Sequence, residues 1–137
     1  MIRKVDHIGV AVSDLEAAIS VYRDVLGMEL GGREEVPLDR VRVAMMRGGD
    51  DVIELLEPTE PDSHVARFLE RRGPGIHHIC LKVDDVAEVL ERCRAAGLRL
   101  IDEAPRPGAG GCRVAFLHPK STSGVLIELS EGGHGHE

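Results

Sequence analysis

Aromatic residues are nearly missing: the 137-residue chain has no tryptophan, one tyrosine and two phenylalanines. No stretch therefore sets Lys and Arg among stacking rings as a nucleic-acid surface would. The charge also has the wrong sign for one, with 17 basic against 24 acidic residues and a formal net charge of -7. No apolar run approaches the roughly 20 residues needed to cross a bilayer. The opening MIRKVDHIGV passes straight into polar alternation without the apolar centre of a signal peptide. The expectation is a protein without a nucleic-acid or membrane partner, working in the cytoplasm. Cys80, Cys93 and Cys112 are odd in number and share no C-x-x-C spacing, which reads as reduced thiols rather than a disulfide frame or a thiolate metal site.

What is present suits one small folded unit. A 42% hydrophobic share is enough to bury one core in a chain of this length. The sequence predicts a single domain over residues 1–131 and a flexible tail over 132–137, whose His134 and His136 would bind metal only adventitiously.

The main signal is an internal repeat. DHIGVAVSDLEAAISVYRDVLGMEL, from Asp6, lies beside HHICLKVDDVAEVLERCRAAGLRL, from His77, so that His7 falls on His78, Ile8 on Ile79, Val12 on Val83 and Asp14 on Asp85. Gly27 and Gly97 close the two matching segments, where they suit the left-handed position after a helix. Each copy opens with strand-like alternation, Val5 to Val12 and Ile76 to Val83. A helix signal follows. Ser13-Asp14-Leu15-Glu16 has the capping-box form, and Asp84 or Asp85 can cap the second helix. Three further strands are expected in each half, around 29–36, 41–46 and 52–56, then around 98–103, 113–117 and 125–129. The order is βαβββ twice, with module 1 over about 5–57, a linker over 58–75 that includes a short helix in SHVARFLERR, and module 2 over about 76–130.

The repeat also pairs chemistry-bearing residues. His7 and His78 hold the same place on the first strand of each half, and the last strands end alike, in VIELLEP and VLIELSE, which makes Glu54 and Glu128 equivalent. A lone strand histidine or glutamate usually has a bland role. Two of each, placed by one pseudo-two-fold, make an N2O2 set suited to a single divalent ion such as Zn, Co, Ni, Mn or Fe(II). His77 is the rival to His78, but Asp6 stands at its counterpart in the first half.

From Val5 to Glu131 the chain resembles the vicinal oxygen chelate superfamily, which includes glyoxalase I, extradiol dioxygenases and bleomycin-resistance proteins. Within it the chain is most similar to the methylmalonyl-CoA epimerases, through DHIGVAVSDLEAAISVYRDVLGMELGG, VIELLEPTEPDSHVARFLERRGPGIHHICLKVDD and RLIDEAPRPGAGGCRVAFLHPKSTSGVLIEL. The resemblance implies an α+β fold, in which two tandem βαβββ modules form an eight-stranded cup around the metal, and a homodimer. It also implies inversion at C2 of methylmalonyl-CoA through an enediolate, with Glu128 as a proton carrier as well as a ligand. Such chemistry needs a Lewis acid for the developing oxyanion, and proton carriers on both faces of C2.

One position departs from that pattern. Epimerases of this kind carry a catalytic Glu in a segment like V-P-E-x-x-V, and here the segment is Val36-Pro37-Leu38-Asp39-Arg40-Val41. Leu38 cannot carry a proton. Either Asp39 takes the role, or Glu34 or Glu35 reaches over, or the reaction differs; as a bland alternative, Asp39 is a turn residue. Lys120, in HPKS, is placed to meet a carboxylate or a CoA phosphate or else is a solvated turn lysine. His118 is read as structuring that turn, and Gly108 to Gly111 permit close backbone approach to a ligand. The competing functions are a glyoxalase I-like lyase or isomerase on the same frame, and a non-catalytic ligand-binding protein.

Overall fold

The computed structural model describes residues 1–133; the expectations for His134 and His136 lie outside them. The chain divides into two compact units, one over His7–His77 and one made of Met1–Asp6 with the residues from His78 onward. The elements run β1 (Ile2–Ala11), α1 (Leu15–Ser20), a π-helical turn (Val21–Val25), β2 (Glu29–Val36), β3 (Val41–Gly48), β4 (Asp51–Pro58), α2 (His64–Arg72), β5 (Gly75–Val83), α3 (Val86–Ala95), β6 (Arg106–Pro107), β7 (Cys112–Leu117) and β8 (Ile127–Gly132). The fold is mixed α+β, with eight strands in the order β2-β3-β4-β1-β5-β8-β7-β6 and three α-helices among the described residues.

The repeat is visible in the strand registers. β1 runs parallel to β4 with Gly9 opposite Glu54, and β5 runs parallel to β8 with Cys80 opposite Glu128. In each case the strand residue facing the acid comes two after the histidine. On the other side, Met45 of β3 faces Glu54 and Phe116 of β7 faces Glu128.

Each unit buries its own apolar cluster. Val12, Leu15, Ile19, Ala44, Met46 and Leu55 pack one face of α1 onto β3 and β4. Val83, Val86, Val89, Leu90, Cys93, Ala115, Leu117 and Leu129 do the same for α3 on β7 and β8. Full burial of a side chain the size of Ile19 or Leu90 contributes roughly 1.5–3 kcal/mol before entropy is charged.

Both repeat helices start on an aspartate. Asp85 accepts the Glu88 N–H at 3.3 Å, as expected. At α1 the cap is Asp14, which accepts the Ala17 N–H at 3.1 Å, and the expected Ser13–Glu16 capping box does not form. Glu16 is turned outward to Arg33 instead. Gly27 and Gly97 both have φ +79°, the left-handed conformation that lets the chain leave the helix without a Cβ clash. The linker helix α2 is present, capped by Ser63, whose hydroxyl accepts the Val65 N–H.

The strand expected over 98–103 is not formed. Only Leu100 bridges Leu117, and the N–H groups of Ile101 and Asp102 both donate to the Phe116 carbonyl. The Asp102 carboxylate takes the Phe116 N–H at 2.8 Å, occupying the donor that a regular ladder would need. Ladder pairing resumes only at Arg106–Pro107, and Pro105 and Pro107 have no N–H to extend it.

Candidate metal centre

Alternation along a strand puts Glu54 on the face opposite Ile53 and Leu55, and the structure answers which way that face looks. Glu54 is buried at 5% exposure, so it is not an ordinary solvated strand acid. His7 and His78 are each 3% exposed. In the first unit His7 Nε2 stands 3.4 Å from Glu54 Oε1, and in the second His78 Nε2 stands 3.1 Å from Glu128 Oε1. Placing a carboxylate out of water is costly unless a partner compensates its charge, and here an imidazole nitrogen is turned toward each one.

These separations suit shared ligation. Two N and O ligands about 2.0–2.2 Å from one ion, at roughly 90–110° to each other, lie about 3.0–3.5 Å apart. His7, Glu54 and His78 are possible metal ligands by donor type and burial. Around the second pair, the Phe116 ring meets the His78 ring edge-on at 5.8 Å between centroids and fixes its orientation.

The remaining expected residues fall as follows. Asp39 lies in the turn before β3, where its N–H donates to the Val36 carbonyl at 3.2 Å and Oδ1 stands 3.9 Å from Nε2 of His64. Leu38 is 62% exposed. Glu34 and Glu35 are exposed on β2, and Glu35 lies 3.7 Å from Arg42. Lys120 is exposed in a short helical turn capped by His118, whose Nδ1 accepts the Lys120 N–H at 3.1 Å. Burial first, then the nearby Arg99 and Lys120 charges, pushes the His118 pKa down. His77 is held elsewhere: its Nε2 lies 3.4 Å from His64 Nδ1, and Phe68 meets its ring edge-on.

A second pair of acids escaped the sequence reading. Glu57 and Glu131 stand three residues after Glu54 and Glu128, hence on the opposite strand face. Glu57 accepts the Leu15 N–H at 2.9 Å and Glu131 the Val86 N–H at 2.8 Å, so each last strand anchors the first turn of its own helix. The repeat contained that signal, because Arg42 and Arg113 also recur, at 2.6 Å from Glu57 and 3.7 Å from Glu131.

Residues 6–116 match the glyoxalase/bleomycin resistance protein/dioxygenase superfamily. The chain belongs to that superfamily. Among relatives of this glyoxalase-type domain, an ethylmalonyl-CoA/methylmalonyl-CoA epimerase of Cereibacter sphaeroides is 41% identical over 133 residues, 96% of this chain and 99% of that protein. The mitochondrial methylmalonyl-CoA epimerase of Mus musculus is 37% identical over 129 residues, 93% of this chain and 72% of its own. The crystal structure of methylmalonyl-CoA epimerase from Mycobacterium tuberculosis superposes with a TM-score of 0.92 at 39% identity, covering 97% of this chain and 90% of that one. Within the superfamily, this similarity places the chain among the isomerases of epimerase type. No helix of the described residues is long and apolar enough to cross a membrane.

Proposed function

We propose that this protein is a metal-dependent epimerase that inverts C2 of methylmalonyl-CoA, or of a close acyl-CoA thioester, through an enediolate. The observation that carries the reading is the imidazole–carboxylate pair repeated in both units, His7 with Glu54, both buried, and His78, also buried, with the partly exposed Glu128. The named activities of the Cereibacter and mouse relatives support it, as does a solved methylmalonyl-CoA epimerase in complex with methylmalonyl-CoA, at 38% identity and a TM-score of 0.91.

We assign His7, Glu54, His78 and Glu128 as ligands of one divalent ion, of the Co, Zn, Ni or Mn type. Such an ion supplies Lewis-acid stabilisation of the oxyanion charge that develops when the C2 proton leaves. The chain supplies the proton carriers. Glu128, less buried than Glu54, takes or returns the proton on one face of C2. Asp39 is assigned to the other face, because Leu38 has no proton to give; the His64 imidazole beside it offers a partner for its charge. Lys120, exposed at its turn, is assigned to a CoA phosphate. The protein is taken to act as a cytoplasmic homodimer.

A chiral assay on separate 2R and 2S methylmalonyl-CoA tests the reading, run beside methylglyoxal-glutathione hemithioacetal. Both thioester diastereomers should converge to one mixture, with no turnover of the hemithioacetal. Turnover of the hemithioacetal alone would move the protein to the glyoxalase I-like lyases.

A further inference from the structure

The loop before β7 holds a cation that the assignments above do not use. Arg106 Nε donates to Asp102 Oδ1 at 3.2 Å, and its guanidinium carbon lies 5.4 Å from the centroid of the Phe116 ring. Asp102 fastens both members of that stack, since its Oδ2 also accepts the Phe116 N–H at 2.8 Å. Phe116 in turn meets His78 edge-on and is the cross-strand neighbour of Glu128. The Phe116 ring therefore contacts both the guanidinium and the His78 imidazole.

Such an arginine is preorganised. Its side chain is 23% exposed, its stem is tied by Asp102 and its plane rides on a ring, so much of the rotamer freedom lost on binding an anion has already been lost. A guanidinium carries five donors in a rigid fork, and the fork matches a planar carboxylate. A thioester carbonyl, a methyl group and a C2 hydrogen carry no charge for it to meet. The carboxylate is the one anionic group at the reacting end of a malonyl-type substrate.

We infer that Arg106 binds the free carboxylate of a malonyl-type acyl group, making the site selective for carboxylated acyl thioesters over simple acyl thioesters. The inference rests on the acyl-CoA reading of the site. Arg106 then fixes one substituent of C2 while the proton changes faces, and Asp102 and Phe116 are the positioning residues behind it.

The test measures binding to the metal-loaded protein by calorimetry, with methylmalonyl-CoA and propionyl-CoA, which differ by that carboxylate. Arg106→Gln should weaken methylmalonyl-CoA about 10- to 100-fold, the range of a charge-assisted pair, and leave propionyl-CoA within about twofold. Arg106→Lys, which keeps the charge but not the fork, should fall in the middle, and it decides the matter by the same comparison if Arg106→Gln does not fold. Equal losses for both thioesters, or no loss for either, would overturn the inference while leaving the epimerase reading intact. A wild-type protein that binds neither thioester would overturn that reading, and the inference with it.

Discussion

His78 faces Glu128 at 3.1 Å as His7 faces Glu54 at 3.4 Å, with both imidazoles reaching their carboxylates through Nε2. The same two residue types meet through the same atom in both units, on strands that pair in parallel with the same offset. A structural histidine needs no such duplication.

The first prediction concerns the ion. Purified with added divalent metal, the protein should hold about one ion per chain, and His7→Ala or His78→Ala should each reduce this to below about 0.2. A ligand present at 100 times its dissociation constant stabilises by about 2.7 kcal/mol, so a chelator should lower the melting temperature of the wild type and leave both variants unmoved. Elemental analysis and thermal melts in parallel check it; wild-type protein without metal, melting identically with and without chelator, would remove the site.

The second prediction concerns the proton carrier missing at Leu38. Asp39→Asn should leave metal content unchanged and slow epimerisation by at least about 10²-fold, the usual cost of losing a general base. Leu38→Glu should raise activity or leave it unchanged. Should Asp39→Asn be harmless while the wild type epimerises well, Glu34, Glu35 or another carrier does the work. If Leu38→Glu creates activity where the wild type has none, the natural substrate is a different one.

How far the sequence discloses this protein can be argued from single residues. His7, His78, Glu54 and Glu128 stand out because the duplication aligns them, and period-two alternation shows that the acids face away from their apolar neighbours. The strand expected at 98–103 fails because Asp102 diverts the partner strand's N–H through its side chain, a tertiary choice that the alternation of Leu98 and Leu100 does not register. Ser13 and Glu16 have the right spacing for a capping box, yet Asp14 competes one residue later and wins. Arg106 on Phe116, and Asp39 beside His64, join residues 10 and 25 positions apart that only the fold brings together.

The third prediction follows from the second acid pair. Glu57→Ala should destabilise by about 1–2 kcal/mol, through loss of the Leu15 cap and of the Arg42 contact at 2.6 Å. Glu131→Ala should cost less, about 0.5–1 kcal/mol, because Arg113 stands farther away at 3.7 Å. Neither should alter metal content. Urea denaturation checks the order, and a larger loss for Glu131→Ala would contradict the role given to the arginines.

The central claim is that buried His/Glu ligands and Glu128 together let this chain remove the C2 proton of methylmalonyl-CoA. Proton NMR in heavy water measures this directly, by following loss of the C2 signal for the metal-loaded wild type, for the same protein after chelation and metal return, and for Glu128→Gln. The account predicts fast exchange in the wild type, its loss on chelation, its recovery with metal, and at least about 10²-fold slower exchange in Glu128→Gln protein that still holds its ion. Undiminished exchange in metal-free protein, or none in the metal-loaded wild type, would contradict it.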